Sequence, residues 1–424
     1  MQEVNTWQKK VRKFFKRLGP GIVTGAADDD PSGIATYSQA GAQYGFKLNW
    51  SMPFMLPLMT AVQEMAGRVG LVTGKGLARI IKDHYNVWIL YLMVFFLVFA
   101  NVVNIGADIG AMAASAQLLI PLPFVFWTLF FTIGIVILEI IIPYKQYAKI
   151  LKWLCVSLFA YIITAAIVQM PWGEVFHYMV VPHFEFSPDY LILFVALLGT
   201  TISPYLFFWE PSQEVEEEIE HRWLNKSGGE PEVTTQRLNR FRKDNLTGMV
   251  FSQLVAFFIM IVAAATLHKN GITDIASADQ AAKALEPLAG EFAKVIFALG
   301  IIGTGLLAIP VLAGSAAYAV SEALDLKEGL YQKVRRARGF YTIIAGATIS
   351  GLLINFVGID PIKALVYAAV INGVLAVPLI FMIIRISNNK KVMGDYTSGR
   401  WSNFFGIVAL VTMALASLAM ILVR

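Results

Sequence analysis

Apolar residues in this chain come in long, nearly unbroken blocks rather than at every third or fourth position, so whole segments, not single helix faces, are built to be buried. A hydrocarbon layer roughly 30 Å thick takes about 20 such residues per helix. On that scale the blocks predict spans at 19–44, 49–70, 87–119, 123–143 and 149–170, then at 188–219, 244–267, 291–322, 338–357 and 361–386, with a last span at 401–423. Two of these spans are interrupted by helix breakers. The first carries Gly25-Ala26-Ala27-Asp28-Asp29-Asp30-Pro31-Ser32-Gly33, and the sixth carries Gly199-Thr200-Thr201-Ile202-Ser203-Pro204-Tyr205. Lying five spans apart, they belong to halves of opposite orientation, and matching breaks in inverted halves point to a binding site near the middle of the bilayer. The expected fold is an all-α integral membrane protein of eleven helices. Residues 1–18 form an arm, 19–170 a first five-helix repeat, 188–386 a second, inverted one, and 401–423 an extra helix.

Composition agrees with a lipid solvent. Of 424 residues, 57% are apolar and 15% charged, and the mean hydropathy is +0.62, which excludes an ordinary water-soluble domain. Cys155 is the only cysteine, so an internal disulfide and a thiolate cluster are both excluded. The first 18 residues are basic and lack the short apolar core and small-residue cleavage site of a removable signal. Lys9, Lys10, Arg12, Lys13, Lys16 and Arg17 precede span 1, while Arg222, Lys226, Arg237, Arg240, Arg242 and Lys243 follow span 6. Cytoplasmic segments collect such charges, so the N-terminus is expected inside and Arg424 outside, in a multi-pass protein of the plasma membrane.

The breaks carry the chemistry. Pro31 removes a backbone donor and Gly33 relaxes the chain, so carbonyls before the break lose their helical partners. A carboxylate inside a membrane is costly unless it meets water, an opposite charge or an ion. Successive helical residues point about 100° apart, so Asp28, Asp29 and Asp30 cannot share one site. Asp30, beside the proline, is the expected direct ligand of a cation, with Asp28 and Asp29 paired to polar groups or lining the entry. In span 6, Pro204 is expected to free the carbonyls of Thr200 and Thr201. Thr200 and Ser203 add hydroxyls on one helical face, either as ligands or bonded back to their own helix. All these donors are oxygen, which suits hard cations such as Mg²⁺, Ca²⁺ or Mn²⁺.

These residues also carry a resemblance. Gly19-Pro20-Gly21, Asp30-Pro31-Ser32-Gly33, Gln63-Glu64-Met65-Ala66-Gly67-Arg68-Val69-Gly70, Thr73-Gly74-Lys75-Gly76-Leu77-Ala78, Lys152-Trp153-Leu154, the stretch from Gly303 to Tyr318 and Pro378 together resemble the natural resistance-associated macrophage protein family of divalent-metal transporters. The resemblance implies a LeuT-type, APC-like inverted repeat. In that family the span 1 signature is Asp-Pro-Gly-Asn and the span 6 signature Ala-x-x-Met-Pro-His, for Mn²⁺ and Fe²⁺ transport coupled to protons. Here Gly33 replaces the Asn, Thr200 the Ala, Ser203 the Met and Tyr205 the His, departures that match the family's magnesium-transporting branch. Asn104 and Ala107 stand where proton-carrying members have Asp and Glu, with Asp108 displaced by one position, and neither Asn nor Ala can titrate. Asn372 occupies the family's Gln position and offers an amide oxygen.

The resemblance therefore implies a metal site of Asp30, Gly33, Thr200, Ser203, Tyr205 and Asn372. It implies passive, proton-uncoupled uptake of Mg²⁺ with Mn²⁺ also accepted, by alternating access, the metal being substrate rather than cofactor. The alternative is a proton-coupled Mn²⁺/Fe²⁺ transporter in which Asp28, Asp108 or Glu139 replaces the missing relay, and beyond it an organic-solute carrier of the same fold. An enzyme is not expected, since neither a His-Glu-x-x-His motif nor a Gly-x-Ser-x-Gly elbow is present. The expected partners are the ion and the bilayer, with no nucleic acid, in a monomer or weak oligomer. Glu216 to Glu220 read as a solvated helix end and Glu210 as facing the aqueous path. Glu64, Asp108, Glu139 and Glu322 read as packing carboxylates with basic or amide partners. His177 and His183 read as outer-loop residues.

Overall fold

The computed structural model describes residues 25, 27–142, 158–220, 231 and 233–423. The basic arm, the Lys152 to Cys155 stretch, Arg222 and Lys226 lie outside the described residues. The described chain is helical: α1 (Pro31–Tyr44), α2 (Ser51–Thr73), α3 (Leu77–His84), α4 (Val87–Gln117), α5 (Phe124–Ile141), α6 (Phe159–Ile167), α7 (Trp172–Val180), α8 (Pro188–Thr201), α9 (Leu206–Glu220) and α10 (Thr235–Thr266). Then follow α11 (Ala278–Ala282), α12 (Glu286–Ala289), α13 (Ala293–Ala323), α14 (Arg338–Ile354), α15 (Pro361–Ser387), α16 (Lys390–Met393) and α17 (Arg400–Leu422). Helix starts follow local chemistry: Asn86, Ser187, Thr234 and Asp360 cap α4, α8, α10 and α15 with side-chain oxygens, and proline opens α8 and α15.

Seven helical segments among the described residues, from Val87–Gln117 to Arg400–Leu422, are long and apolar enough to cross a membrane, and Arg338–Ile354 is a shorter apolar helix. Ser51–Thr73 falls outside that set; it carries Gln63, Glu64 and Arg68, all buried. Large apolar side chains such as Phe95, Phe130, Ile133, Leu353, Phe404 and Leu415 stand exposed, as lipid-facing positions must. The protein is thus an all-α integral membrane protein. Three expectations change. The stretch expected as an outer loop between Met170 and Asp189 contains α7. The basic residues Arg237, Arg240, Arg242 and Lys243 lie on the first turns of α10 rather than in a loop, and α3 stands between spans 2 and 3.

Around the two breaks, α10 packs on α1, α9 on α2, α8 on α15, and α13, α14 and α15 on α4. Small residues allow the closest approaches. A Cβ on Gly199 would overlap the backbone of Ala369 and Gly373, so α8 and α15 touch main chain to main chain just before the second break.

At the end predicted to be cytoplasmic, Glu64 pairs with Arg68 one turn along α2, accepts from Arg242 Nε of α10 at 3.1 Å and from Ser402 Oγ of α17 at 3.1 Å. Arg68 reaches on to the Thr397 carbonyl at 2.9 Å. The acidic tail of α9 corrects the solvated reading: Glu216 and Glu218 are buried, and Glu216 accepts from the Tyr318 hydroxyl and from the Leu330 amide at 2.5 Å. Glu210 is fully buried rather than water-facing. Glu322 caps α3 through the Arg79 amide at 2.8 Å. Together Glu216, Glu322 and Glu328 line a cavity of about 230 Å³.

Burial, with Glu322 and Glu216 nearby, pushes the Glu328 carboxyl up to about 10. A folded-state value above the ordinary 4.5 means that this residue's contribution to stability is full below pH 4.5 and is lost as pH rises toward 10. Glu328→Gln removes that loss. Thermal unfolding in detergent is expected to show the variant gaining on the parent steadily from pH 5 to pH 9; parallel pH profiles would contradict this.

Candidate cation site at two helix breaks

The first break is built by Asp30. Its backbone is extended (φ −70°, ψ 172°) and its side chain caps α1, Oδ1 accepting from the Gly33 amide and from Ser32 Oγ, each at 2.7 Å, with Pro31 at the first helical position. Asp30 Oδ2 accepts from Asn104 Nδ2 of α4 at 2.8 Å. Residues 27 and 28 end the preceding helical turn.

The second break opens at Ile202, where α8 stops (φ −115°, ψ 69°) before α9 resumes at Leu206. The Thr200 carbonyl is not left free: Ser203 Oγ lies 2.7 Å from it and 3.1 Å from Asp28 Oδ1. Ser203 therefore serves Asp28, not Asp30. Tyr205 donates its hydroxyl to the Ala27 carbonyl at 3.0 Å, and the Tyr37 and Thr201 hydroxyls meet at 3.0 Å. The breaks are clasped to each other by these cross-links.

Several buried oxygens here have no hydrogen-bond partner among the described residues: Thr200 Oγ1, Asn104 Oδ1 and Asp29 Oδ2, and Asn372 Oδ1 on α15 lacks one as well. Thr200 Oγ1 lies 3.3 Å from the position a Cβ on Gly33 would take, so the missing side chain at Gly33 keeps that oxygen accessible to the space beside Asp30. Orphaned acceptors in a dry interior are costly, and a cation satisfies acceptors of this kind without any donor. No group of three His, Cys, Asp or Glu among the described residues is arranged to hold a metal, so hydroxyl, amide and carbonyl oxygens would have to complete the shell.

Of the expected residues, the structure brings Asp30, Gly33 and Thr200 together, holds Ser203 beside Asp28, turns the Tyr205 hydroxyl onto backbone, and leaves Asn372 buried with a bare carbonyl oxygen. Asp28 and Asp29 pair with hydroxyls as expected, but one partner is Ser252 of α10, 3.1 Å from Asp28 Oδ2 and 3.1 Å from Asp29 Oδ1. A lone serine in an apolar span carries no signal that singles it out. Asp108 corrects the packing expectation: it is buried one turn along α4 from Asn104, with neither oxygen bonded among the described residues. Glu139 likewise lacks a basic or amide partner among the described residues; it sits near Thr348, whose hydroxyl reaches the Ile344 carbonyl at 3.1 Å. His183 meets Glu185 at 3.0 Å, a surface pair, and His177 lies on α7.

A family model described as natural resistance-associated macrophage protein-like matches residues 21–423. The chain is 24% identical to a divalent metal cation transporter MntH of Erwinia tasmaniensis, over 98% of this chain and 97% of that one. It is 26% identical to the MntH of Klebsiella pneumoniae over 96% and 94%. Among solved structures it is similar to the Eremococcus coleocola manganese transporter, with a TM-score of 0.73 at 17% identity over 96% of this chain and 86% of that one. It is also similar to Mhp1, a nucleobase-cation-symport-1 family transporter, with a TM-score of 0.57 at 13% identity over 96% and 92%.

Among the described residues, Asn104 is the one side chain that holds Oδ2 of Asp30 from another helix. Asn104→Leu leaves that oxygen without a donor, and thermal or denaturant unfolding in detergent is expected to register a loss of about 1–3 kcal/mol; unchanged stability would show that Asp30 does not depend on this contact.

Proposed function

The chain belongs to the natural resistance-associated macrophage protein-like family, and on that premise we propose that it moves divalent metal cations through the site between its two helix breaks. It is a membrane transporter and not an enzyme, and the metal is cargo rather than cofactor. Support for the ion class comes from relatives named divalent metal cation transporters along nearly the whole chain and from the buried, unpartnered oxygens of Thr200 and Asn104 beside Asp30. Mn²⁺ is supported from both sides, because carboxylate, carbonyl and water oxygens suit it and a structural neighbour is a manganese transporter.

The relatives favour the Mn²⁺/Fe²⁺ reading over the magnesium-first one. In that reading proton coupling falls to buried carboxylates such as Asp108, one turn from Asn104. A second reading, in which Mg²⁺ is carried beside Mn²⁺ without protons, is favoured by one observation: the two breaks present hydroxyls at Thr200 and Ser203 and no sulfur or imidazole donor. Asp30 is the central ligand in both, with Thr200, Asn372 and the space left by Gly33 around it. Ser203 enters through Asp28, and Tyr205 acts by holding the Ala27 turn. The wider arrangement we infer is two inverted five-helix repeats (19–170 and 188–386) with an eleventh helix, the N-terminus cytoplasmic and the C-terminus outside, in a monomer or weak oligomer. Three carboxylates beside the first break disfavour a carrier of anionic organic solutes.

Uptake into proteoliposomes tests this. Saturable Mn²⁺ entry is expected, falling roughly tenfold or more in Asp30→Ala, the scale of at least ~1.4 kcal/mol of lost ion binding; normal uptake by the variant would move the site elsewhere. Excess Mg²⁺ should leave Mn²⁺ entry intact, with an accompanying proton signal, in the first reading. It should compete, without a proton signal, in the second. Ser203→Met is expected to shift preference toward softer ions such as Fe²⁺.

A further inference from the structure

Away from the helix breaks, a cavity of about 480 Å³ lies between the end of α5, the middle of α13, the start of α14 and the loop from Leu330 to Val334. Cavities of this size hold small-molecule ligands. Its walls are mostly apolar, with Ile140 and Ile141 from α5, Pro310 from α13, Val334 from the loop and Ile344 from α14. Exposed Ile141, Tyr331 and Lys333 set its rim at the protein surface. The Tyr341 hydroxyl, donating to the Gln332 carbonyl at 3.0 Å, ties the loop wall to α14, and the Leu330 amide, donating to Glu216 at 2.5 Å, ties it to α9.

Two kinds of polar group in this apolar cavity lack partners. Glu139 is 8% exposed, and neither of its oxygens has a hydrogen-bond partner among the described residues. The Thr348 hydroxyl close by uses its one hydrogen on the Ile344 carbonyl at 3.1 Å. A buried acceptor left in this way calls for a donor. Lys333 stands exposed at the rim, and no carboxylate among the described residues pairs with it; Arg335, Arg336 and Arg338 follow in the same segment, equally exposed and equally unpaired. A positive rim and an acceptor in the wall describe one headgroup, an anionic phosphodiester that also carries a hydroxyl. The apolar walls point to a lipid rather than a free phosphate. From the cavity, Ile141, Ile137 and Ile133 run along α5 at four-residue spacing, 70%, 49% and 56% exposed, which places them on one face as a strip that an acyl chain can cover.

We propose that this cavity binds one phospholipid with an anionic, hydroxyl-bearing headgroup. Its phosphate sits at Lys333 and the neighbouring arginines, its headgroup hydroxyl donates to Glu139, and an acyl chain follows Ile141, Ile137 and Ile133. Basic pockets between membrane helices take anionic headgroups in this way. The site does not depend on which ion the protein carries. Leu330, a wall residue, is also the partner of Glu216, so the lipid shares its seat with the contact that holds the end of α9.

Native mass spectrometry of the purified full chain, titrated with phosphatidylglycerol, phosphatidylethanol and phosphatidylcholine, decides the matter. The first two carry the same charge, and only the first has a headgroup hydroxyl. Phosphatidylglycerol is expected to bind best and phosphatidylcholine worst. Lys333→Gln is expected to weaken both anionic lipids about fivefold, the scale of one basic residue at a membrane surface. Glu139→Leu is expected to erase the preference for phosphatidylglycerol over phosphatidylethanol, and Glu139→Gln, whose amide oxygen still accepts, to keep it. Monodispersity on size exclusion shows that each variant is folded. Equal binding of the three lipids by the parent, or unchanged anionic-lipid binding by Lys333→Gln, overturns the site. A Glu139→Leu variant that keeps the headgroup preference overturns the hydroxyl contact, and displacement of the lipid by glycerol phosphate overturns the lipid in favour of a soluble anion.

Discussion

Breaking a helix inside a hydrocarbon layer strands backbone groups where water cannot reach them, and the interior of this protein is organised around that constraint. Asp30 meets it at the first break by capping α1 with its own carboxylate. At the second break the Ser203 hydroxyl covers the Thr200 carbonyl, and Tyr205 reaches across to the Ala27 carbonyl. The same groups that make the breaks tolerable are the ones that could hold an ion, so stability and the proposed ion binding draw on one set of oxygens. Oxygens left without a donor mark where capping stops.

Much of this was legible in the chain because the strongest signals were local. Blocks of apolar residues set most helix positions to within a few residues, and Pro31 and Pro204 marked both breaks. Asp30 stood out because a carboxylate next to a proline in an apolar block is too costly to bury unless it holds a helix end or an ion. What stayed hidden depended on contacts between segments far apart in sequence. Ser252 looked like any hydroxyl in an apolar span until α10 was laid along α1. Ser203 was legible as an oxygen donor, but not that Asp28 rather than Asp30 would take it.

The acidic tail of α9 was misread for a related reason. Six glutamates from Glu210 to Glu220 look solvated by composition, and charge runs usually are. Folding places Glu216 against Tyr318 and the Leu330 amide and buries Glu218, so the run anchors a helix end instead of dissolving it. The Glu64, Arg68 and Arg242 group does the same for α2, α10 and α17. The buried acidic groups at this end of the molecule are structural, while the buried carboxyls at the breaks lack basic partners among the described residues.

The contact between Gly199 and Gly373 has a mechanical meaning. With the main chains of α8 and α15 pressed together, a shift of either helix has to carry the other with it or open this contact, whereas the break at 202–205 that follows α8 can bend without opening it. A tilt of α9 about residues 202–205 would work as a lever. Its arm from Leu206 to Glu216 is about 15 Å at 1.5 Å per residue, so a tilt of about 10° displaces Glu216 by nearly 3 Å, as much as a hydrogen bond is long. A tilt of that size would thus be large enough to let go of Tyr318 and Leu330, so a small change of angle at the break becomes a change of contacts at the far end of α9.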